Sequence, residues 1–131
     1  MHNPPLILLI DDEAQIRDLY STKLQSAGFE IVQAVNGMIG FELAKQKNPD
    51  LILLDMRMPV MDGAETIMKL KEDPATKDLK VIFLTALSDR PEHISTDVKA
   101  AKEVGALDYF KKDIDLNELV DRVRGHLGLK Q

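Results

Sequence analysis

Three short, wholly apolar runs recur along this chain: Leu6–Ile10, Leu51–Leu54 and Val81–Leu84. Each is bounded by charged or turn-forming residues and shows no polar alternation. That length is short for a helix, and without alternation neither face of a strand is left for water. Strands of this kind belong in a parallel sheet covered on both sides. The intervening segments carry helical spacing. Glu13–Ala27 is closed by Gly28, and the Asn36-Gly37 turn opens a helix to about Lys47. Gly63–Lys71 stops before Pro74, and a fourth helix, from about His93 to Val104, ends at Gly105, placed as a C-cap. Glu30–Ala34 and Leu107–Lys111 read as two shorter strands. A last helix starts at Asp115, with Glu118 three residues on as in a capping box, and Leu116, Leu119, Val120, Val123 and Leu127 line one face. Strands and helices that alternate in this way predict a doubly wound α/β fold with a five-stranded parallel sheet.

The ends of the strands carry the chemistry. Asp11 and Asp12 follow the first strand, Asp55 the third, Thr85 closes the fourth and Lys112 follows the fifth. In doubly wound folds ligands collect at the carboxyl ends of the strands, where strand order reverses. Three carboxylates at one sheet edge serve no structural need, because two carboxylates ~4 Å apart repel by roughly 4 kcal/mol at an effective dielectric of about 20. A divalent cation or a phosphoryl group gives the arrangement a purpose. Taken alone, each residue has a plainer reading. Asp11-Asp12 suits a helix N-cap, Asp62-Gly63 a turn and helix start, Thr85 an ordinary strand end and Tyr109 a packed aromatic. It is the set that points to a site.

Composition excludes other classes. The 131 residues fit one domain, 1–131, with a core from about residue 5 to 128. Apolar residues at 44% and charged residues at 30% describe a globular chain, and no apolar stretch is long enough to span a bilayer. No secretory signal is visible, and the absence of cysteine rules out disulfides and thiolate zinc sites, so the expected location is the cytoplasm. The net charge is −5, and the acids Asp113, Asp115, Glu118 and Asp121 cancel the basic group of Lys111-Lys112, Arg122 and Arg124. Direct nucleic-acid binding is not expected. His2, His93 and His126 lack metal-ligand spacing and read as surface residues.

The motifs Ile10-Asp11-Asp12-Glu13, Leu53-Leu54-Asp55-Met56-Arg57-Met58-Pro59, Met61-Asp62-Gly63, Leu84-Thr85-Ala86 and Gly105-Ala106-Leu107-Asp108-Tyr109-Phe110-Lys111-Lys112 follow one another in the order found in receiver domains of two-component response regulators. Nearly the whole chain resembles that family, including its single-domain chemotaxis type. The resemblance implies a flavodoxin-like strand order, 2-1-3-4-5. It implies that Asp55 accepts a phosphoryl group from a phosphohistidine donor. Asp11, Asp12, Asp55 and the backbone carbonyl of Arg57 would then hold Mg2+ or Mn2+, with phosphorylation negligible without the metal. Lys112 would pair with Asp55 and then with the phosphoryl oxygens, and Thr85 would bond one of those oxygens. Tyr109 would follow Thr85 inward and alter the surface made by the fourth helix, fifth strand and fifth helix. The implied partners are a sensor histidine kinase or histidine phosphotransfer protein docking near Ala14, Gln15 and Ile16, an unidentified downstream protein, and a second copy through the last two helices. Such a chain is a regulatory phosphoacceptor rather than an enzyme.

Two features depart from the family pattern. Asp113 stands where proline usually follows the lysine, so the Lys112–Asp113 peptide is expected to be trans. The stretch from Thr85 to Gly105, with Ser88–Asp97 its most polar part, is longer than the family usually allows. Lys111 is the alternative cation, but strand alternation points it to the opposite side from Lys112. Arg57 and Leu87 flank the route of attacking water. A haloacid-dehalogenase-like phosphatase is disfavoured, because Arg57 stands where its second Asp should be. A flavin domain is disfavoured because no phosphate loop follows the first strand. The remaining alternative is a degenerate receiver serving as a phosphorylation-independent scaffold.

Overall fold

The computed structural model describes residues 1–59, 61–86, 99, 103 and 105–129. Five strands, β1 (Leu6–Ile10), β2 (Glu30–Ala34), β3 (Leu51–Asp55), β4 (Val81–Thr85) and β5 (Asp108–Lys111), form one parallel sheet in the order β2-β1-β3-β4-β5. The helices bounded within the described residues are α1 (Ala14–Ser26), α2 (Gly37–Lys47), α3 (Gly63–Glu72) and α4 (Leu116–His126). Lys99 and Glu103 are helical, while the rest of the helix expected over 93–104 lies outside the described residues, as does the polar stretch 88–97.

The sheet divides the core into two layers, as strand alternation requires. Ile7, Leu9, Leu51, Leu53, Ile82 and Leu84 point to one side, where Tyr20 and Leu24 of α1 and Leu119 and Val123 of α4 meet them. Leu8, Ile10, Ile52, Leu54 and Phe83 point to the other, against Ala44 of α2 and Ile67 and Leu70 of α3. The residues of β1, β3 and β4 are buried throughout, which is why their sequences show no polar face. Each fully buried Leu or Ile contributes on the order of 2 kcal/mol by leaving water.

Local signals set the helix ends. The Asn36 side chain accepts from the Ile39 N–H, Asp62 from Glu65 and Asp115 from both Asn117 and Glu118, so α2, α3 and α4 begin on side-chain caps. α1 begins differently: its N-cap residue is Glu13, with no side-chain cap bond. The capping role open to Asp11-Asp12 is therefore not the one they fill at the N-cap position. Gly28 ends the α1 turn at φ 101°, a conformation that costs an L-residue with a side chain steric strain. The strand register then sets the functional edge, because Ile10 pairs with Leu54, Asp55 with Leu84 and Thr85 with Lys111.

Candidate functional site

Adjacent strands β1 and β3 deliver Asp11 and Asp55 side by side, both almost completely buried. Their backbones and outer oxygens are fixed. Asp11 N–H donates to the Ala34 carbonyl at 3.1 Å, Arg17 Nη1 donates to the Asp11 carbonyl at 2.8 Å, and Asp11 Oδ1 accepts from Glu13 N–H at 2.8 Å. Asp55 Oδ1 accepts from the Arg57 N–H at 3.1 Å. Gly63, the first residue of α3, packs against this loop so closely that a Cβ there would lie 2.6 Å from the Asp55 carbonyl oxygen. Asp12 and Glu13 stand exposed at the rim, and one carboxylate oxygen from each of Asp11, Asp12, Glu13 and Asp55 falls within 4.8 Å of the others.

Lys112 enters from the end of β5. Its N–H donates to the Thr85 carbonyl at 2.8 Å, and its own carbonyl accepts from Tyr20 Oη at 3.0 Å. The buried ammonium lies 3.0 Å from Asp11 Oδ2 and 3.2 Å from Asp55 Oδ2, but its hydrogen bond goes to Glu13 Oε1 at 2.7 Å. Asp11 Oδ2 and Asp55 Oδ2 are left buried without a hydrogen-bond donor. One buried ammonium is thus shared by two buried carboxylates and Glu13, and burying the excess negative charge costs free energy. The titration of the group reflects that cost. Burial, and then the neighbouring Asp11 charge, push Asp55 up to about 7 against the pull of Lys112. Burial likewise raises Asp11. For Lys112, burial alone would favour the neutral amine, yet Glu13, Asp55 and Asp11 together hold the ammonium charged to a higher pH than usual.

The carboxylates of Asp11, Asp12 and Asp55, with Glu13 at the rim, form a hard all-oxygen set. Such a set suits a small divalent cation of the magnesium type, which binds through a few carboxylates and keeps several waters. The residues present thus fit a metal of that class.

The structure brings Asp11, Asp12, Asp55 and Lys112 together, with Arg57 joining through its backbone. Lys111 is exposed, and the peptide between Lys112 and Asp113 is trans. Thr85 is fully buried at the end of β4, its hydroxyl donating at 3.4 Å to the Phe110 carbonyl. Tyr109 is half-buried against the second core layer. Ala14 and Gln15 are exposed on the first turn of α1, whereas Ile16 is half-buried against the first core layer.

Residues 7–124 match the response regulator receiver domain family. The chain belongs to the response-regulator receiver family. Over 123 residues it is 42% identical to the DNA-binding dual master transcriptional regulator RpaA of Synechocystis, covering 94% of this chain and 49% of RpaA. It is 35% identical to sporulation initiation phosphotransferase F of Bacillus subtilis, over 95% of this chain and 94% of that protein. The receiver thus spans about half of the length of RpaA but nearly all of the Bacillus protein. Among solved structures it resembles the Vibrio cholerae chemotaxis protein CheY4, with a TM-score of 0.82 at 27% identity, covering 92% of this chain and 97% of that one. Phosphorylation-based switching is general to receivers, and the two-component receiver resemblance and the strand order 2-1-3-4-5 both stand. Among the described residues, no helix is long and apolar enough to cross a membrane.

Several contacts in this receiver were not legible in its sequence. Glu13 holds the Lys112 ammonium and Tyr20 holds the Lys112 carbonyl. Asp108, at the start of β5, accepts from Arg122 Nη2 at 2.6 Å and lies 2.9 Å from His126 Nε2. His126 is therefore half-buried in a polar cluster, not a free surface residue, and the Arg122 guanidinium also stacks 4.5 Å from the Phe110 ring centre. Burial works against ionisation of Asp108, but the bonds from His126, the Tyr109 N–H and Arg122 outweigh it and hold the carboxyl below its ordinary range. The spacing Asp108, Arg122, His126 was available as a signal only for the i, i+4 pair on α4.

Proposed function

We propose that this receiver takes a phosphoryl group onto Asp55 from a phosphohistidine on a sensor kinase or histidine phosphotransfer protein, and that the modification changes which protein it binds. The observation that carries the reading is the buried Asp55 carboxylate beside Asp11, its Oδ2 3.2 Å from the Lys112 ammonium that Asp11 also engages. An oxygen of Asp55 forms the new bond to phosphorus as the P–N bond of the donor breaks. The electron pair stays on the imidazole nitrogen, which takes up a proton. Arg57 N–H, bound to Asp55 Oδ1, orients the nucleophile. Lys112 moves from its carboxylate partners to the phosphoryl oxygens and supplies a fixed positive charge. Asp11, Asp12, Asp55 and the Arg57 carbonyl would hold Mg2+ or Mn2+, which would supply further charge neutralisation at those oxygens. The net acidity of the pocket makes phosphorylation depend on it.

In this reading the Thr85 hydroxyl exchanges its long bond to the Phe110 carbonyl for a phosphoryl oxygen. Tyr109 then follows, and the change reaches β5 and the helices beside it. A local charge event that biases a two-state element is enough to switch affinity. Ala14, Gln15 and Ile16 are the donor's docking residues. Gln15 also lines a groove along α1 with Asp18, Leu19, Thr22, Lys23 and Leu116. The downstream partner binds the β5 side, alone or through a second copy of this chain.

Intact mass after incubation with acetyl phosphate, with and without magnesium, tests this directly. A gain of one phosphoryl group that needs magnesium and is absent in Asp55→Ala is expected. No gain under any condition would leave the domain as a scaffold.

A further inference from the structure

Tyr20 sits in the middle of α1, on the face turned to the sheet, and is completely buried. Its ring packs in the layer that also holds Ile7, Leu9, Phe110 and Leu119. A tyrosine there needs a partner for its hydroxyl, because an unpaired buried donor costs about 1–3 kcal/mol. The partner is the carbonyl of Lys112, at 3.0 Å and 92 residues away in sequence. The bond ties α1 to the residue just beyond β5, which ends at Lys111.

The backbone of Lys112 is thereby held at both of its peptide groups. Its N–H is tied to the Thr85 carbonyl of β4 at 2.8 Å, and its C=O to α1 through Tyr20. The residue that follows is Asp113, joined by a trans peptide. A proline in that place would fix its own φ and stiffen the chain beyond the lysine; aspartate does neither. The side chain of Lys112 must nevertheless reach back to within 3.0 Å of Asp11 and 3.2 Å of Asp55. Fixing the peptide plane sets where Cα–Cβ points, and four flexible bonds follow from there.

We propose that Tyr20 is a positioning residue for Lys112, its hydroxyl locking the Lys112–Asp113 peptide so that the ammonium is aimed between Asp11 and Asp55. This rests on the reading of Lys112 as the cation that accompanies the phosphoryl group on Asp55. Tyr20 touches neither reacting atom and acts only through Lys112.

The test is a double-mutant cycle on the full chain with Tyr20→Phe, which keeps the ring and removes the hydroxyl, and Lys112→Met, which keeps the stem and removes the charge. The rate of Asp55 phosphorylation by acetyl phosphate in saturating magnesium is read by intact mass. The Lys112 ammonium resonance is read by nitrogen NMR in the unphosphorylated protein. Tyr20→Phe is expected to slow phosphorylation about five-fold, the loss expected for one hydrogen bond, and to shift the Lys112 resonance. In the Lys112→Met background it is expected to change the rate no further. An equal fractional loss in both backgrounds, or an unmoved Lys112 resonance in Tyr20→Phe, overturns the proposal and leaves Tyr20 a satisfied core residue. If the wild-type chain takes no phosphoryl group, the phosphoacceptor reading falls, and the Lys112 resonance alone decides for or against Tyr20. In the wild-type protein the bond also predicts a slowly exchanging Tyr20 hydroxyl proton; rapid exchange overturns the proposal without any variant.

Discussion

The Lys112 ammonium donates to Glu13 Oε1 at 2.7 Å while Asp55 Oδ2, 3.2 Å away, receives no hydrogen bond. The buried cation is thus shared among three carboxylates, with Asp11 Oδ2 also 3.0 Å away. Glu13→Gln is expected to weaken the outer contact of Lys112, leaving its charge to Asp11 and Asp55 alone, and to remove one negative charge from the cluster. Both effects weaken cation binding, so the magnesium midpoint, followed by NMR shifts, should move to several-fold higher concentration. The Glu13 side chain is 54% exposed, so unfolding stability should change by less than about 1 kcal/mol. An unchanged magnesium midpoint would show that Glu13 has no hold on the pocket.

Charge crowding also sets a pH dependence. Asp55 is pushed up to about 7, by burial and then by Asp11. An acid whose pKa is higher in the folded than in the unfolded chain keeps more protons when folded. Stability therefore falls as pH rises from about 4 to about 7 and stays low above that. Asp55→Asn is expected to be more stable than wild type at pH 8 by on the order of a few kcal/mol, with the gain gone at pH 4. Urea unfolding in a chelator at the two pH values measures it, and a pH-independent difference would contradict the account.

Magnesium should relieve the same strain. A cation that binds only the folded chain at a hundred times its Kd adds about 2.7 kcal/mol of stability. The thermal midpoint of the wild-type protein should rise on adding magnesium, and Asp11→Asn should abolish most of the rise. If calcium-free magnesium left the wild-type midpoint where a chelator puts it, the acidic cluster would not be a metal site.

Most of the fold was legible because the strands obey one rule. Leu6–Ile10, Leu51–Leu54 and Val81–Leu84 are buried on both faces, so their sequences carry no polar position and leave little room for another assignment. The caps Asn36, Asp62 and Asp115 were equally local. Asp11, Asp12, Asp55 and Lys112 could be gathered because each follows a strand end, and a parallel sheet sends all such ends to one edge. Glu13 and Tyr20 could not. Glu13 reads as an ordinary first-turn acid and Tyr20 as one more apolar-face residue of α1. Their roles depend on where Lys112 arrives from more than 90 positions away. The Asp108 cluster was hidden for the same reason, since β5 and α4 meet only in the folded sheet.

Asp108 offers a separate test away from the pocket. Its carboxylate accepts from Arg122 and pairs with His126, and those bonds hold its acid below the ordinary range. A depressed pKa contributes stability above about pH 4 that is lost as pH falls through the folded-state value. Asp108→Asn is expected to cost about 1 kcal/mol at pH 7 and less at pH 2.5, by urea unfolding. An equal cost at both would mean that shape, not charge, is what Asp108 provides.

Gly63 couples folding to the nucleophile most directly. A Cβ at this position would sit 2.6 Å from the Asp55 carbonyl oxygen and 2.8 Å from both Met56 Cα and Phe83 Cε1. Two of those three neighbours are backbone atoms, which cannot swing aside as a side-chain tip can. The start of α3 must retreat or the loop after β3 must yield, and overpacking of this kind costs about 1–3 kcal/mol. Gly63 N–H also donates to the Met56 carbonyl at 3.0 Å, so a retreat of α3 pulls on the same loop. That loop carries the Arg57 N–H that fixes Asp55 Oδ1. Gly63→Ala is therefore expected to lose stability in that range and, in the fraction that stays folded, to slow phosphorylation of Asp55 by acetyl phosphate. Ala64→Gly, one residue on and exposed, controls for helix propensity. It should cost stability by about 1 kcal/mol at most without slowing phosphorylation. A Gly63→Ala protein with a wild-type rate would mean that the loop absorbs the methyl group without moving Asp55.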